Sequence, residues 1–307
     1  MGRSVAVVCP KGGVGKTTVA VNLAAALADK GFRCLIIGVD PQCGVISCLG
    51  LDRFDVDYGL LDFFDPEGSP ERVAQATGIA NLDFMTSNVW SREEEEELLA
   101  RVSERPQRLA EALAPFKTRY DFLFMDCPPN LGPLTWAALH AADAYMVPVQ
   151  AEELAYRALP RFFDDMDERA RQLGHNPELL GILINQYSPR TRLAISVVER
   201  IRGEYGDQVF QTMIPRTVRL AEVALRGRPV NLFNRSGLGA RTFAALADEL
   251  LAPMVPQSAK RSLEITLADE DGPPALIPVE TPLLDAVAAS SLASADAFSG
   301  EEDSRLH

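Results

Sequence analysis

Lys11-Gly12-Gly13-Val14-Gly15-Lys16-Thr17-Thr18 is the stretch of this chain whose residue types and spacing point most directly to chemistry. Glycines let a backbone wrap round phosphate oxygens with its N–H groups turned inward, and a helix opening at once behind them adds a positive field. Lys16 is placed to reach the β- and γ-phosphates of a nucleotide, and the hydroxyl of Thr17 to ligate Mg2+. The general pattern for such loops calls for glycine where this chain has Pro10; in compensation an additional lysine, Lys11, opens the loop. The plain alternative, a glycine-rich turn with two incidental lysines, does not explain why strand, loop and helix patterns stand in register around it. Two carboxylates end apolar runs, Asp40 after Val39 and Asp126 after Met125. Phosphoryl transfer leaves a protein little covalent work beyond positioning and charge stabilisation, so carboxylates that hold Mg2+ or orient water are the groups to look for. Asp126 is suited to hold Mg2+ through water, or else to cap the turn before Pro128-Pro129; Asp40 could likewise be only a turn aspartate before Pro41.

The elements that must position these groups are legible as alternating patterns. Apolar runs at Ser4–Pro10, Phe32–Asp40, Leu82–Met85, Tyr120–Asp126, Ala144–Gln150, Leu179–Asn185 and Gln208–Pro215 read as strands buried on both faces. Helical patterns run over Thr17–Lys30, stopping at Gly31, and over about Arg92–Phe116, Pro133–Ala142, Glu152–Leu173, Thr191–Tyr205, Val218–Arg226 and Arg235–Leu251. Strands alternating with such helices predict an α/β fold, a parallel twisted sheet with helices on both faces. The chain has 307 residues, 47% of them hydrophobic and 24% charged, which suits one domain over 1–254 with a sizeable core and excludes wholesale disorder and fibrous classes. Residues 255–307 are rich in Ala, Ser, Pro and acids and are expected to form a disordered acidic tail. The acidic run Glu93–Glu97 reads as a solvated helix start.

The five cysteines, Cys9, Cys34, Cys43, Cys48 and Cys127, form no CxxC pair, which argues against a disulfide framework or a thiolate metal site and for a reduced cytoplasm. The first apolar run is too short to span a membrane, so neither export nor a membrane span is expected. Net charge is 30 − 43 = −13, which favours solubility, yet its distribution is uneven. Between Asn185 and Arg241 stand ten arginines against four acids. Arginines make bidentate contacts with phosphate, and binding through backbone phosphates is non-specific and salt-sensitive. Arg192, Arg219, Arg228 and Arg241 are the candidates for a shared DNA-binding face, although any one of them alone is as well read as a solvated helix residue.

Several boxes in order give the chain a specific resemblance to a known family. KGGVGKTT at 11–18 resembles the deviant Walker A box of the ParA/MinD ATPases, Val39-Asp40-Pro41-Gln42 the switch-I DxDPQ box, and Phe122–Gly132 the Walker B strand with its DCPPSLG ending. Ala141–Gln150, Tyr187–Arg192, Ile214–Leu220, Glu222 and Gly227–Val230 match the ParA (Soj-like) partitioning branch, so the resemblance covers about residues 3–252. Gly38 stands where the family has the first Asp of its switch-I box, Cys43-Gly44-Val45-Ile46 replaces GNAT, and Asn130 replaces Ser. The resemblance implies a P-loop NTPase fold and a slow, partner-stimulated ATPase with ATP and Mg2+ as cofactors. In it Lys11 reaches across a homodimer to the partner's nucleotide, Asp40 orients the attacking water, and Asn185, Pro215 and Arg216 sit beside the adenine. It also implies ATP-dependent, non-specific binding of the dimer to nucleoid DNA, an adaptor of ParB type that triggers hydrolysis, and use in partitioning or positioning chromosome, plasmid or other cargo. The alternatives are a membrane-surface regulator of MinD or flagellar type, which needs a basic amphipathic C-terminal helix; an iron–sulfur or metal carrier, which needs paired thiolates; and a nucleotide-binding module with little hydrolysis.

Overall fold

Strand β1 (Arg3–Val7) leads through the glycine-rich loop into helix α1 (Lys16–Asp29), which ends where Gly31 takes a left-handed φ of 95°. The chain then runs through β2 (Cys34–Gly38), α2 (Gly44–Leu49), α3 (Leu60–Phe63), β3 (Gln75–Ile79), β4 (Leu82–Met85), α4 (Arg92–Glu104) and α5 (Arg108–Leu113). It continues with β5 (Phe122–Asp126), α6 (Pro133–Ala141), β6 (Ala144–Gln150), α7 (Glu153–Leu173), β7 (Glu178–Asn185) and α8 (Arg192–Tyr205), and closes with α9 (Val218–Ala221), α10 (Val223–Arg226), α11 (Val230–Phe233) and α12 (Leu238–Leu251). The computed structural model describes residues 2–64 and 73–252, and the expected tail over 255–307 lies outside the described residues.

The seven strands form one sheet in the order β3-β4-β2-β5-β1-β6-β7. Six run parallel, as their unbroken apolar sequences predict; β2 (CLIIG) and β5 (FLFMD) are buried at every residue. The expectation of a wholly parallel sheet needs one correction. At the edge, β3 pairs antiparallel with β4 across the tight turn at Asn81, whose φ is 62°. Its sequence, QATGI, has no apolar run because an edge strand is only half covered.

Three other expectations are corrected. The helix expected over about 92–116 is broken in two: Pro106 disfavours α geometry at Arg105, which sits at φ −140° and ψ 69°. The strand expected over Gln208–Pro215 makes only isolated bridges, Val209 to Ile182 and Pro215 to Tyr187. Val218–Arg226 is two short helices, α9 and α10, joined at Glu222. Inside the molecule, Leu23 and Leu27 of α1 and Phe124 and Met125 of β5 are fully buried, each large apolar side chain contributing about 1.5–3 kcal/mol of transfer free energy. That burial fixes the start of α1 against the C-terminal ends of β1, β2 and β5. Helix α2 in turn rests on α10, where the backbones of Gly50 and Gly227 meet so closely that a Cβ on Gly227 would lie 2.4 Å from the Gly50 Cα.

Candidate functional site

The C-terminal ends of parallel strands are where an open α/β sheet can host a ligand, because loops there diverge. Here the loop after β1, the turn after β2 and the end of β5 converge. The backbone N–H groups of Val39 and Asp40 both donate to the Asp126 carbonyl, at 2.9 and 3.2 Å, and the Thr17 hydroxyl donates to Asp126 Oδ2 at 2.7 Å. The loop from Lys11 to Thr18, Asp40 and Asp126 thus lie together at this end of the sheet.

Helix α1 starts at Lys16 with no side-chain cap and no acidic residue in its first turn, so the N–H groups at its N-terminus lack a side-chain partner. Gly15, the N-cap, has φ 86°, a left-handed conformation, and a Cβ there would fall 2.6 Å from Asn185 Nδ2. Glycine is therefore required at that position twice over. Lys16 is only 7% exposed, and its ammonium donates to a single carbonyl, that of Lys11, at 3.3 Å, with no carboxylate in ion-pairing range among the described residues. A buried cation with no carboxylate in ion-pairing range suits an anionic ligand.

Asp126 complements it. The carboxyl is 1% exposed, and its Oδ1 has no hydrogen-bond partner. Burial pushes its pKa up to about 7, against the lowering influence of the Thr17 hydrogen bond. An orphaned carboxylate oxygen beside an aligned hydroxyl is a donor set that fits a hard divalent cation. By contrast, Cys127 next to it is fully buried, and burial pushes its thiol well above the usual range.

Lys11 behaves differently from Lys16. It lies on the rim, its side chain 43% exposed, and its ammonium is held by Glu152 Oε2 at 2.6 Å and Gln150 Oε1 at 2.8 Å. The Gln150 amide in turn donates to Gln186 Oε1 at 2.9 Å, and the Gln186 amide donates to the Gly13 carbonyl at 2.9 Å. Gln186 adopts φ 53° to do so. Gln150, Glu152 and Gln186 went unrecognised in the sequence. The only local signal was that Gln150 ends a strand pattern and Glu152 opens a helix pattern at the same sheet edge.

Asn185 is 3% exposed and donates through Nδ2 to the Val14 carbonyl at 2.6 Å, so it braces the loop. Pro215 and Arg216 follow alongside: the Arg216 N–H donates to the Tyr187 carbonyl at 2.8 Å, placing both at the rim beyond Asn185. The four candidate arginines stand on four elements: Arg192 on α8, Arg219 on α9, Arg228 after α10 and Arg241 on α12. All are exposed; Arg219 pairs with Glu222 at 3.2 Å, whereas Arg192, Arg228 and Arg241 make no ion pair among the described residues. Arg200, Arg226 and Arg235 are engaged by Glu153, Glu222 and Asp29.

A family model described as an AAA domain (AAA_31) matches residues 2–179. The sporulation initiation inhibitor protein Soj of Bacillus subtilis is 36% identical over 252 residues, which is 82% of this chain and 99% of that protein. The chromosome partitioning protein ParA of Myxococcus xanthus is 34% identical over 261 residues, 85% of this chain and 92% of that one. Among solved structures, cobyrinic acid a,c-diamide synthase from Mycobacterium smegmatis, with a bound ATP analog and magnesium, superposes with a TM-score of 0.70 at 29% identity, over 83% of this chain and 96% of that one.

Proposed function

The chain belongs to the ParA/Soj family of P-loop ATPases, and on that premise we propose that it is a nucleotide-timed switch: ATP joins two copies, the dimer binds DNA without sequence preference, and hydrolysis releases it. ATP is the substrate and Mg2+ its cofactor. The observation that carries the reading is the contrast between the two loop lysines: Lys16 buried with no carboxylate in ion-pairing range among the described residues, Lys11 exposed on the rim and held by Glu152 and Gln150.

In this reading the loop N–H groups from Gly12 to Thr18 and the Lys16 ammonium receive the β- and γ-phosphates, supplying the charge that a buried lysine lacks. Thr17 and, through water, Asp126 would hold Mg2+, which when bound neutralises phosphate charge. Asp40, fixed to the Asp126 carbonyl through its N–H, orients the attacking water, while Asn185, Pro215 and Arg216 line the way to the base. Lys11 leaves Glu152 to reach the partner copy's phosphate, completing the charge stabilisation only in the dimer. Turnover is accordingly slow in the single copy and raised by an adaptor of ParB type.

DNA contact falls to Arg192, Arg219, Arg228 and Arg241. Arg228 follows Gly227, whose backbone abuts Gly50 at the end of α2, the helix that begins just after the Asp40 turn. A shift of that turn on ATP binding therefore has a direct route to at least one of these arginines. Dimerisation doubles the phosphate contacts of one particle, so affinity rises with ATP and falls with salt. The use is partitioning of chromosome, plasmid or another cargo in the cytoplasm, on the nucleoid. No helix of the described residues is long and apolar enough to cross a membrane. Retention on DNA measured with ATP and with ADP at two salt concentrations tests the reading; equal retention with both nucleotides contradicts it.

A further inference from the structure

The turn carrying Asp40 departs from its family's pattern at Cys43, and the structure shows what that residue touches. Cys43 sits at φ 51° and ψ 33°, a left-handed conformation glycine takes without cost and a residue with a side chain does not. Its side chain is nonetheless buried, 5% exposed, with Sγ 3.1 Å from the hydroxyl of Ser87, a fully buried residue two positions past the end of β4. The Ser87 hydroxyl also lies 3.3 Å from the Asp40 carbonyl.

The Ser87 hydroxyl joins the two halves of this contact. The carbonyl can only accept, so the Ser87 hydroxyl donates to it and its oxygen is left to accept from the Cys43 thiol, which also lies 3.4 Å from the Pro41 carbonyl and 3.8 Å from the Val89 carbonyl. The same Asp40 carbonyl accepts the Cys43 N–H at 3.0 Å, and the Gln42 N–H donates to Asp40 Oδ1 at 3.0 Å. The carboxylate is thus set by a turn held on one side by the Asp40 N–H to the Asp126 carbonyl and on the other by the pair Ser87 and Cys43 beside β4. A carboxylate at position 38, where the family has its first Asp, would have little room to contribute, because a Cβ on Gly38 would already lie 3.2 Å from Val45 Cγ2 and 3.3 Å from Thr86 Oγ1.

We infer that Ser87, with Cys43 as its donor, is a positioning residue for ATP hydrolysis, clasping the Asp40 turn to β4 so that the carboxylate meets the attacking water. The inference rests on the reading of Asp40 as the water-orienting group. A turn released from the clasp still leaves the phosphate loop intact, so the loss falls on turnover and not on ATP binding.

The test is steady-state ATP hydrolysis by the full-length protein for Ser87→Ala, Cys43→Gly, Cys43→Ser and Asp40→Ala. Cys43→Gly folds readily because it relieves the left-handed strain. Ser87→Ala and Cys43→Gly are expected to lower kcat about tenfold, with KM for ATP within about twofold of the parent, and Cys43→Ser, which keeps a donor, to recover most of the rate. A parent kcat in Ser87→Ala or Cys43→Gly, with Asp40→Ala inactive, overturns the clasp and leaves the Asp40 reading standing. Equal loss in kcat and ATP affinity together with a lowered melting temperature also overturns it, because that is a purely structural role. Turnover at the parent rate in Asp40→Ala overturns the Asp40 reading and the clasp with it.

Discussion

Replacing Lys16 by methionine should make the protein more stable and useless at once. The residue is only 7% exposed, and its ammonium has one carbonyl at 3.3 Å and no counter-ion in range, whereas its four-carbon stem packs at the start of α1. Methionine keeps most of that stem's volume and removes a desolvated charge that has no carboxylate in ion-pairing range, a relief on the order of 1 kcal/mol. For a domain of this size about 1 kcal/mol corresponds to roughly 2–4 °C in Tm. Without nucleotide, Lys16→Met is therefore expected to melt about 2–4 °C above the parent. With ATP and Mg2+ at about a hundred times the dissociation constant the parent gains about 2.7 kcal/mol, or roughly 5–11 °C, and the variant gains nothing. Thermal unfolding followed by circular dichroism, with and without ATP and Mg2+, reads both numbers. A variant that melts below the parent without nucleotide refutes the claim that burial of the Lys16 charge costs stability. One that keeps the ATP-induced shift refutes the assignment of Lys16 to the phosphates.

Three further outcomes are expected. Glu152→Gln removes the charge that holds Lys11; each half-exposed pair is worth about 0.2–1 kcal/mol, and two lysines dock per dimer, so ATP-dependent dimerisation should strengthen by about twofold to thirtyfold in analytical ultracentrifugation. Arg228→Glu should weaken retention on DNA of any sequence while ATP turnover in the absence of DNA stays at the parent rate, and a variant with unchanged retention removes Arg228 from the interface. Burial alone would raise the Asp143 pKa, but the Lys117 ammonium, the Ser4 N–H and the Ser4 hydroxyl all donate to its carboxylate and hold it below the usual range. A carboxylate with a depressed folded pKa stabilises above the unfolded value of about 3.9 and loses that contribution as pH falls through the folded one. Urea denaturation between about pH 5 and pH 3 should accordingly show a steeper loss for the parent than for Asp143→Asn, and equal slopes would contradict the linkage.

What could be read from the sequence was whatever is encoded locally. The phosphate loop was legible because glycines, lysine and hydroxyl must follow a strand and open a helix within a few residues, and Asp126 because it ends a strand buried at every position. The register that sets Gly38 opposite Asp126, and so brings Asp40 beside it, follows from parallel pairing of two such strands. Edge strand β3 was missed because, half covered, it has no need of an apolar run. The chain of Lys11, Gln150, Gln186 and Gly13, and the clasp between Ser87 and Cys43, were missed for a different reason: their members come together only through the fold, across as many as 173 positions in the case of Gln186 and Gly13. Charge counting overstated the basic surface, since Arg200, Arg226 and Arg235 are spoken for by Glu153, Glu222 and Asp29.

Sedimentation velocity of the full-length protein with ATP and Mg2+, with ADP and Mg2+, and of Lys11→Ala with ATP and Mg2+ tests the nucleotide-timed switch most directly. The account predicts a dimer for the parent with ATP, a single copy with ADP, and a single copy that still binds ATP for Lys11→Ala, because the exposed lysine acts on the other copy's phosphate. A dimer of equal strength in all three conditions, or a Lys11→Ala protein that dimerises with ATP as the parent does, would contradict it.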